Sequence, residues 1–144
     1  MNDIKKIIYG LALMTLISCN SKMTRTESPL AAVIKLISAE ALADFDEAKK
    51  YIDVNKVYSG NVDTLTPEQA WKDQVMFFYN MSRDKKFTNV FKYYNFNIKE
   101  EEKGDNATVV FESIHPEDSI SKILYTLDRH NNTWEVVKIE FIKK

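Results

Sequence analysis

The chain is poor in the residues that most often betray chemistry: one cysteine, two histidines, three glycines and three prolines in 144 residues. One cysteine excludes an internal disulfide framework, and two histidines leave little material for a histidine-based metal site. So few glycines and prolines exclude collagen-like and low-complexity chains. They also leave no glycine-rich loop to cradle a phosphate. Neither sign of charge dominates, because twenty basic side chains face twenty-one acidic ones for a net of −1. No bulk field therefore recruits nucleic acid or an anionic membrane. What is present is apolar material, 44% of the chain, with 12% aromatic. At this length that is enough to build one domain around one core.

The longest apolar run lies at the start. Residues 1–19 read MNDIKKIIYGLALMTLISC, with Lys5 and Lys6 ahead of an eleven-residue stretch from Ile7 to Ile17. As a helix that stretch spans about 16 Å, well short of a hydrocarbon core of about 30 Å. It reads as a secretion signal over residues 1–18, not a transmembrane anchor. The run closes on Leu16-Ile17-Ser18-Cys19, which resembles the lipobox of bacterial lipoprotein signals. The resemblance implies acylation of the Cys19 thiol, cleavage before it, and a chain held in a bacterial cell envelope by lipid. Several acyl chains at about 0.8 kcal/mol per buried CH₂ make such an anchor effectively permanent. Asn20 stands where an Asp would resemble an inner-membrane retention signal, which points towards the outer membrane. Cleavage removes Lys5, Lys6 and Asp3, leaving 126 residues with 18 basic and 20 acidic side chains. Residues 19–28 then read as the lipidated Cys19 and a flexible tether without apolar period.

Residues 29–144 read as a single α+β domain. Ser28 followed by Pro29 is a helix start, with Leu30, Val33, Ile34, Ile37 and Ala41 recurring as one apolar stripe. Asp44 with Glu47 three residues on marks a second start, with Phe45, Ala48 and Ile52 facing one side. Residues 53–65 read as loop. Thr66-Pro67-Glu68-Gln69 opens a third helix, whose stripe is Trp71, Val75, Phe78 and Met81, and which is expected to fade by residues 84–86.

Beyond Phe87 the apolar period becomes two. Tyr94, Phe96 and Ile98 alternate with polar neighbours, and Lys103-Gly104-Asp105-Asn106 makes a turn. Ala107, Val109 and Phe111 follow, then Ile123, Tyr125 and Leu127. A second turn at His130-Asn131-Asn132 leads into Trp134 and on to Phe141. Four strands on short turns predict an antiparallel meander, with the three helices packed on one face. Trp71 and Trp134 are expected in the same core.

The order of these elements, with Asp44-Phe45-Asp46-Glu47-Ala48-Lys49-Lys50-Tyr51 and a closing Trp134-Glu135-Val136-Val137, resembles the nuclear transport factor 2-like (cystatin-like) superfamily. Within it the chain is similar to small bacterial lipoproteins of unknown function, whose second helix often opens Gly-Asp-[Tyr/Phe]-x-x-Ala. Ala43 stands here at the glycine position. The resemblance implies a curved sheet over a long helix, leaving a cone-shaped cavity. It carries over no catalytic residue.

Candidate chemistry is sparse. No Gly-x-Ser-x-Gly exists for a nucleophile elbow. His115 and His130 fall in turns, and Glu100-Glu101-Glu102 reads as a solvated hairpin end whose side chains alternate in direction. The aromatic residues between Phe77 and Phe96 read mostly as core, and Tyr94, Phe96, Tyr125 and Phe78 are the residues expected to line a cavity. Tyr125, between Ile123 and Leu127, carries a hydroxyl into an apolar layer where it needs a partner. In enzymes of the resembling fold, a pocket Tyr works with an Asp or His, but Asp128 falls on the opposite strand face from Tyr125. No catalytic set, cofactor or metal site is expected. The leading expectation is a membrane-tethered, non-catalytic domain that binds a small apolar ligand or an envelope protein. The alternative is a small enzyme resembling the isomerase, dehydratase or cyclase branch of that fold.

Overall fold

A computed structural model describes residues 27–60, 64–83 and 95–144. Residues 1–18, Cys19, the residues up to 26, and Phe87, Phe91, Tyr93 and Tyr94 lie outside the described residues. Four helices precede four strands: α1 (Pro29–Ala41), α2 (Phe45–Ala48), α3 (Val54–Tyr58), α4 (Pro67–Arg83), β1 (Phe96–Lys103), β2 (Asn106–Ser113), β3 (Ile120–His130) and β4 (Thr133–Lys143). The strands form one open antiparallel sheet in the order β1-β2-β3-β4. The α+β class and the meander are as the sequence leads one to expect.

Each helix starts where a side chain can accept an orphan backbone N–H. Ser28 accepts from Ala31 N–H at 3.2 Å, and the Glu100 carboxylate accepts from Leu30 N–H at 2.6 Å. Asp44 accepts from Glu47 N–H, and Asp53 from Lys56 N–H, both at 3.1 Å. Thr66 and Gln69 form a reciprocal capping box, the Gln69 N–H donating to the Thr66 hydroxyl at 3.2 Å and the Thr66 N–H donating back to the Gln69 side chain at 3.3 Å.

Three expectations about the helices are corrected. The span 53–65 contains α3, with Val54 and Tyr58 buried one turn apart. The stripe of α1 is rotated from the expected one: Pro29, Ala32, Val33, Leu36 and Ala39 are buried, while Ala41 is exposed. Most of this helix is apolar on every side, so periodicity alone could not choose its inner face. Small alanines at positions 32 and 39 let α1 lie close on the sheet, where it crosses β1, β2 and β4. The third expectation, all helices on the sheet, also needs amendment. Only α1 and α3 lie against it to any extent, and α4 packs on α1 and α3.

The turns carry the conformations their sequences allow. Gly104 has φ 64° at the first central position of the β1–β2 turn, and Asn131 and Asn132 have φ 50° and 65° in the β3–β4 turn. The resulting register sets Ala107 against Leu127, Val109 against Tyr125 and Phe111 against Ile123, all six turned inward and buried. A bulge between Thr126 and Leu127 interrupts the β3–β4 pairing. Beyond it Ile139 is half-buried and Phe141 exposed. The start of β4 is stitched to the helical layer: Asp53 N–H donates to the Val136 carbonyl at 2.9 Å, and Val136 N–H donates to the Tyr51 carbonyl at 2.8 Å. Trp71, Trp134, Phe111, Leu36 and Leu127 are the largest side chains of the core, each essentially solvent-free.

Candidate functional site

The residues expected to line a cavity are not brought together as a group. Phe96 and Tyr125 both pack edge-on against Phe111, with ring centroids 6.0 and 5.6 Å away. That file of three rings fills the sheet side of the core. Phe78 sits on α4 and is 52% exposed, beside Phe77 at 62%. Its stripe-mates Trp71 and Val75, two turns and one turn earlier on α4, are buried. Tyr94 and Cys19 lie outside the described residues.

The charged clusters are partnered within the fold. The three glutamates on β1 alternate in direction as expected, but they are not merely solvated. Glu100 caps α1, Glu101 pairs with Lys103 at 2.7 Å, and Glu102 pairs with Arg129. The Arg129 guanidinium lies over the Trp134 ring, 4.2 Å from its centroid. His130 ends β3 at an exposed turn, and His115 follows β2, 3.6 Å from Glu117. Asp128 accepts from Lys56 at 3.2 Å and from Asn106 at 2.8 Å, a surface network away from the Tyr125 face. Among the described residues no group of three or more His, Cys, Asp and Glu is placed to hold a metal.

One carboxylate departs from this pattern. Glu40, in the last turn of α1, accepts a hydrogen bond from the Trp71 indole N–H at 2.7 Å. Burial pushes its carboxyl above the usual glutamate range, and the smaller effect of the Trp71 hydrogen bond opposes that. Tyr58 of α3 faces the same place. Its phenol is held above the ordinary range, first by burial and then by the negative charge of Glu40. Reading the wrong inner stripe for α1 hid this residue. Glu40 falls four positions after Leu36 and seven after Val33, at the edge of the buried face, and is itself half-buried.

A shallow, open pocket of about 260 Å³ lies at the corner between α1 and α2. Ala39 and Leu42 give it an apolar floor, and Lys35, Ser38, Asp44 and Glu47 give it polar walls. The walls are already engaged. Lys35 pairs with Glu27 at 2.7 Å and lies over the Tyr51 ring. Asp44 caps α2, and Glu47 pairs with Lys50 and accepts from the Tyr51 hydroxyl. Such a surface can recognise shape and charge. It offers no free base or nucleophile.

Comparison of the chain with protein-family models, curated proteins and solved structures gives no match. Among the described residues, no helix is long and apolar enough to cross a membrane.

Proposed function

We propose that this chain is a lipid-anchored bacterial envelope lipoprotein, more at home on the outer than the inner membrane, whose domain over 29–144 binds without catalysing. The observation that carries the reading is Leu16-Ile17-Ser18-Cys19 at the end of an apolar run led by Lys5-Lys6. That run is too short to span a bilayer, yet it ends on the chain's single thiol. The first helix cap, Ser28, follows nine residues later, enough chain to set the domain up to about 30 Å from an acylated Cys19.

Two features support the nuclear transport factor 2-like assignment. Helices precede an antiparallel four-stranded sheet. Ala43, at the position where the resembling lipoproteins carry glycine, has the left-handed φ of 54° that favours glycine. Binding is favoured over catalysis because the ionisable groups around the α1–α2 pocket are spent on caps and ion pairs. At about 260 Å³ that pocket falls below the usual ligand-site range of roughly 300–1,000 Å³. An envelope protein recognised at the surface fits it better than an enclosed small molecule.

The test is the mass and location of the full-length chain expressed in a lipoprotein-processing bacterium. The wild type is expected to begin at an acylated Cys19 and to fractionate with membranes. Cys19→Ser should lose both the lipid mass and the membrane association. A wild-type chain that keeps Met1 and carries no lipid would sink the anchor reading.

A further inference from the structure

The open sheet has two edges, and they are finished differently. β1 presents Lys99, Glu100, Glu101, Glu102 and Lys103 in succession, a charged edge of the kind that discourages further pairing. The first part of the β4 edge is closed by the chain itself. There the Tyr51 carbonyl and the Asp53 N–H take up the N–H and carbonyl that Val136 turns outward. Beyond the bulge the alternation can be followed from the far end of the strand. The Lys144 N–H donates to the Ser119 carbonyl at 3.3 Å, and the Ile142 carbonyl accepts from the Ser121 hydroxyl at 3.0 Å. Ile142 and Lys144 therefore turn their backbone towards β3, and Phe141 and Lys143 turn theirs outward. Among the described residues no strand or bridge pairs with this stretch from the outside. Its side chains are open as well: Phe141 is 54% and Ile142 44% exposed, and Lys143 and Lys144 are exposed beside them.

We infer that this end of β4 is a self-docking edge, on which a second copy of the chain lays its own β4 antiparallel, joining two four-stranded sheets into one. A two-fold axis at a strand edge makes the contact self-complementary, and side chains choose the register. An axis at Ile139 would bring Ile142 of the second copy against Val136, whose edge Tyr51 and Asp53 already fill. An axis at Glu140 sets that carboxylate against its own copy, and one at Phe141 sets Lys138 against Lys144; both oppose like charges. An axis at Ile142 opposes Ile142 to Ile142, Glu140 to Lys144 and Phe141 to Lys143. In that register Phe141 and Lys143 exchange their outward backbone hydrogen bonds, and the two exposed isoleucines cover each other. Every charge then meets its opposite or a ring. Lys143, which makes no ion pair among the described residues, reaches the Phe141 ring of the second copy. The Lys144 ammonium, held in one chain by the neutral carbonyls of His115 and Pro116, gains a carboxylate acceptor. The contact over residues 140–144 is short, so the dimer is a reversible one. It depends on neither the lipid anchor nor a ligand.

The experiment traps the pair. Ile142→Cys in the full-length chain is oxidised mildly in intact expressing cells with a membrane-permeant oxidant, so the result does not depend on where the chain resides. A disulfide dimer is expected, because directly opposed residues of a non-hydrogen-bonded strand pair lie within disulfide reach. Lys103→Cys, exposed at the β1–β2 turn, gives the background of random collision, and the wild type reports any contribution from Cys19. Adding Glu140→Lys to Ile142→Cys should abolish the dimer band, and adding Lys144→Glu to both should bring it back, which general disturbance of the strand would not do. If Ile142→Cys does not fold, sedimentation equilibrium in density-matched nonionic detergent decides instead. The wild type and the Glu140→Lys/Lys144→Glu chain should then dimerise as concentration rises, while Glu140→Lys stays monomeric. A band no stronger than that of Lys103→Cys, a cross-link to a different protein in its place, or a charge swap that restores nothing overturns the inference.

Discussion

Trp71 and Trp134 enter one core from opposite layers, and they differ in what their indole N–H groups meet. The Trp71 N–H donates to Glu40 at 2.7 Å, whereas that of Trp134 is buried with no hydrogen-bond partner among the described residues. Trp71 is also braced edge-on by Phe45, with ring centroids 5.3 Å apart.

Equal truncations at these two positions should therefore cost unequal amounts. Trp71→Phe and Trp134→Phe remove the same atoms from solvent-free sites. The first also strips Glu40 of its donor, while the second deletes an N–H that was desolvated for nothing. Losing a hydrogen bond to a charged group costs about 1.5–3 kcal/mol. Trp71→Phe is expected to be the more destabilising at neutral pH by a margin of that order, measured by denaturant unfolding. Equal losses would mean that the Glu40 contact is energetically idle.

Ala43 offers a stabilising substitution. Its amide donates to the Glu40 carbonyl at 3.0 Å while the next amide, of Asp44, donates to the Ala39 carbonyl at 2.9 Å. This is the Schellman arrangement, with Ala43 at the left-handed position. The left-handed conformation costs an alanine roughly 1–2 kcal/mol, part of which glycine gives back through its freer unfolded chain. Ala43→Gly should therefore raise stability by about 0.5–1 kcal/mol. A lower melting temperature in the variant would contradict the assigned turn.

Ala43 also illustrates how far the sequence could be read. Caps at Ser28, Asp44 and Thr66, both hairpin turns and the inward face of β2 and β3 were legible, because each rests on local chemistry within a few residues. The short helix α3 was not. It is under two turns long, and its apolar pair Val54 and Tyr58 cannot form a stripe. The inner face of α1 was ambiguous because most of its turns are apolar all round. That ambiguity concealed Glu40, which looks like a solvent-facing glutamate until the helix is rotated. The reach of Glu100 back to Leu30, seventy residues away, is tertiary and left no trace in local pattern.

Phe111, an inward residue of β2, and Phe78, one of the rings expected to line a cavity, should behave oppositely. Phe111 has no exposure and touches both Phe96 and Tyr125 edge-on. Phe111→Ala should cost about 3–5 kcal/mol through the cavity it leaves. Phe78 is half exposed on the outer half of α4. Phe78→Ala should change stability by less than about 0.5 kcal/mol, the usual range for a surface position. A large loss at Phe78 would show that its ring is covered in solution.

The pH dependence should have two limbs of opposite sign. Glu112 is held below the usual carboxylate range by hydrogen bonds from Lys122 and then Lys99, and Glu68 by those from Lys49 and then Lys72. A carboxyl lowered by folding contributes stability that is complete above its unfolded value of 4.5 and lost as the pH falls further. Both side chains are about one-third exposed, so this limb is shallow and weakens with salt. Glu40 has the reverse sign: raised by folding, it adds stability as the pH falls from neutrality towards 4.5. Stability should pass through a maximum on the acid side of neutrality. Glu112→Gln should flatten the acid limb, in low salt most visibly, and leave the neutral limb in place. Denaturation midpoints at half-unit steps of pH, in low and high salt, measure both limbs. A curve that rises steadily from about pH 4.5 to neutrality would rule out the Glu40 contribution.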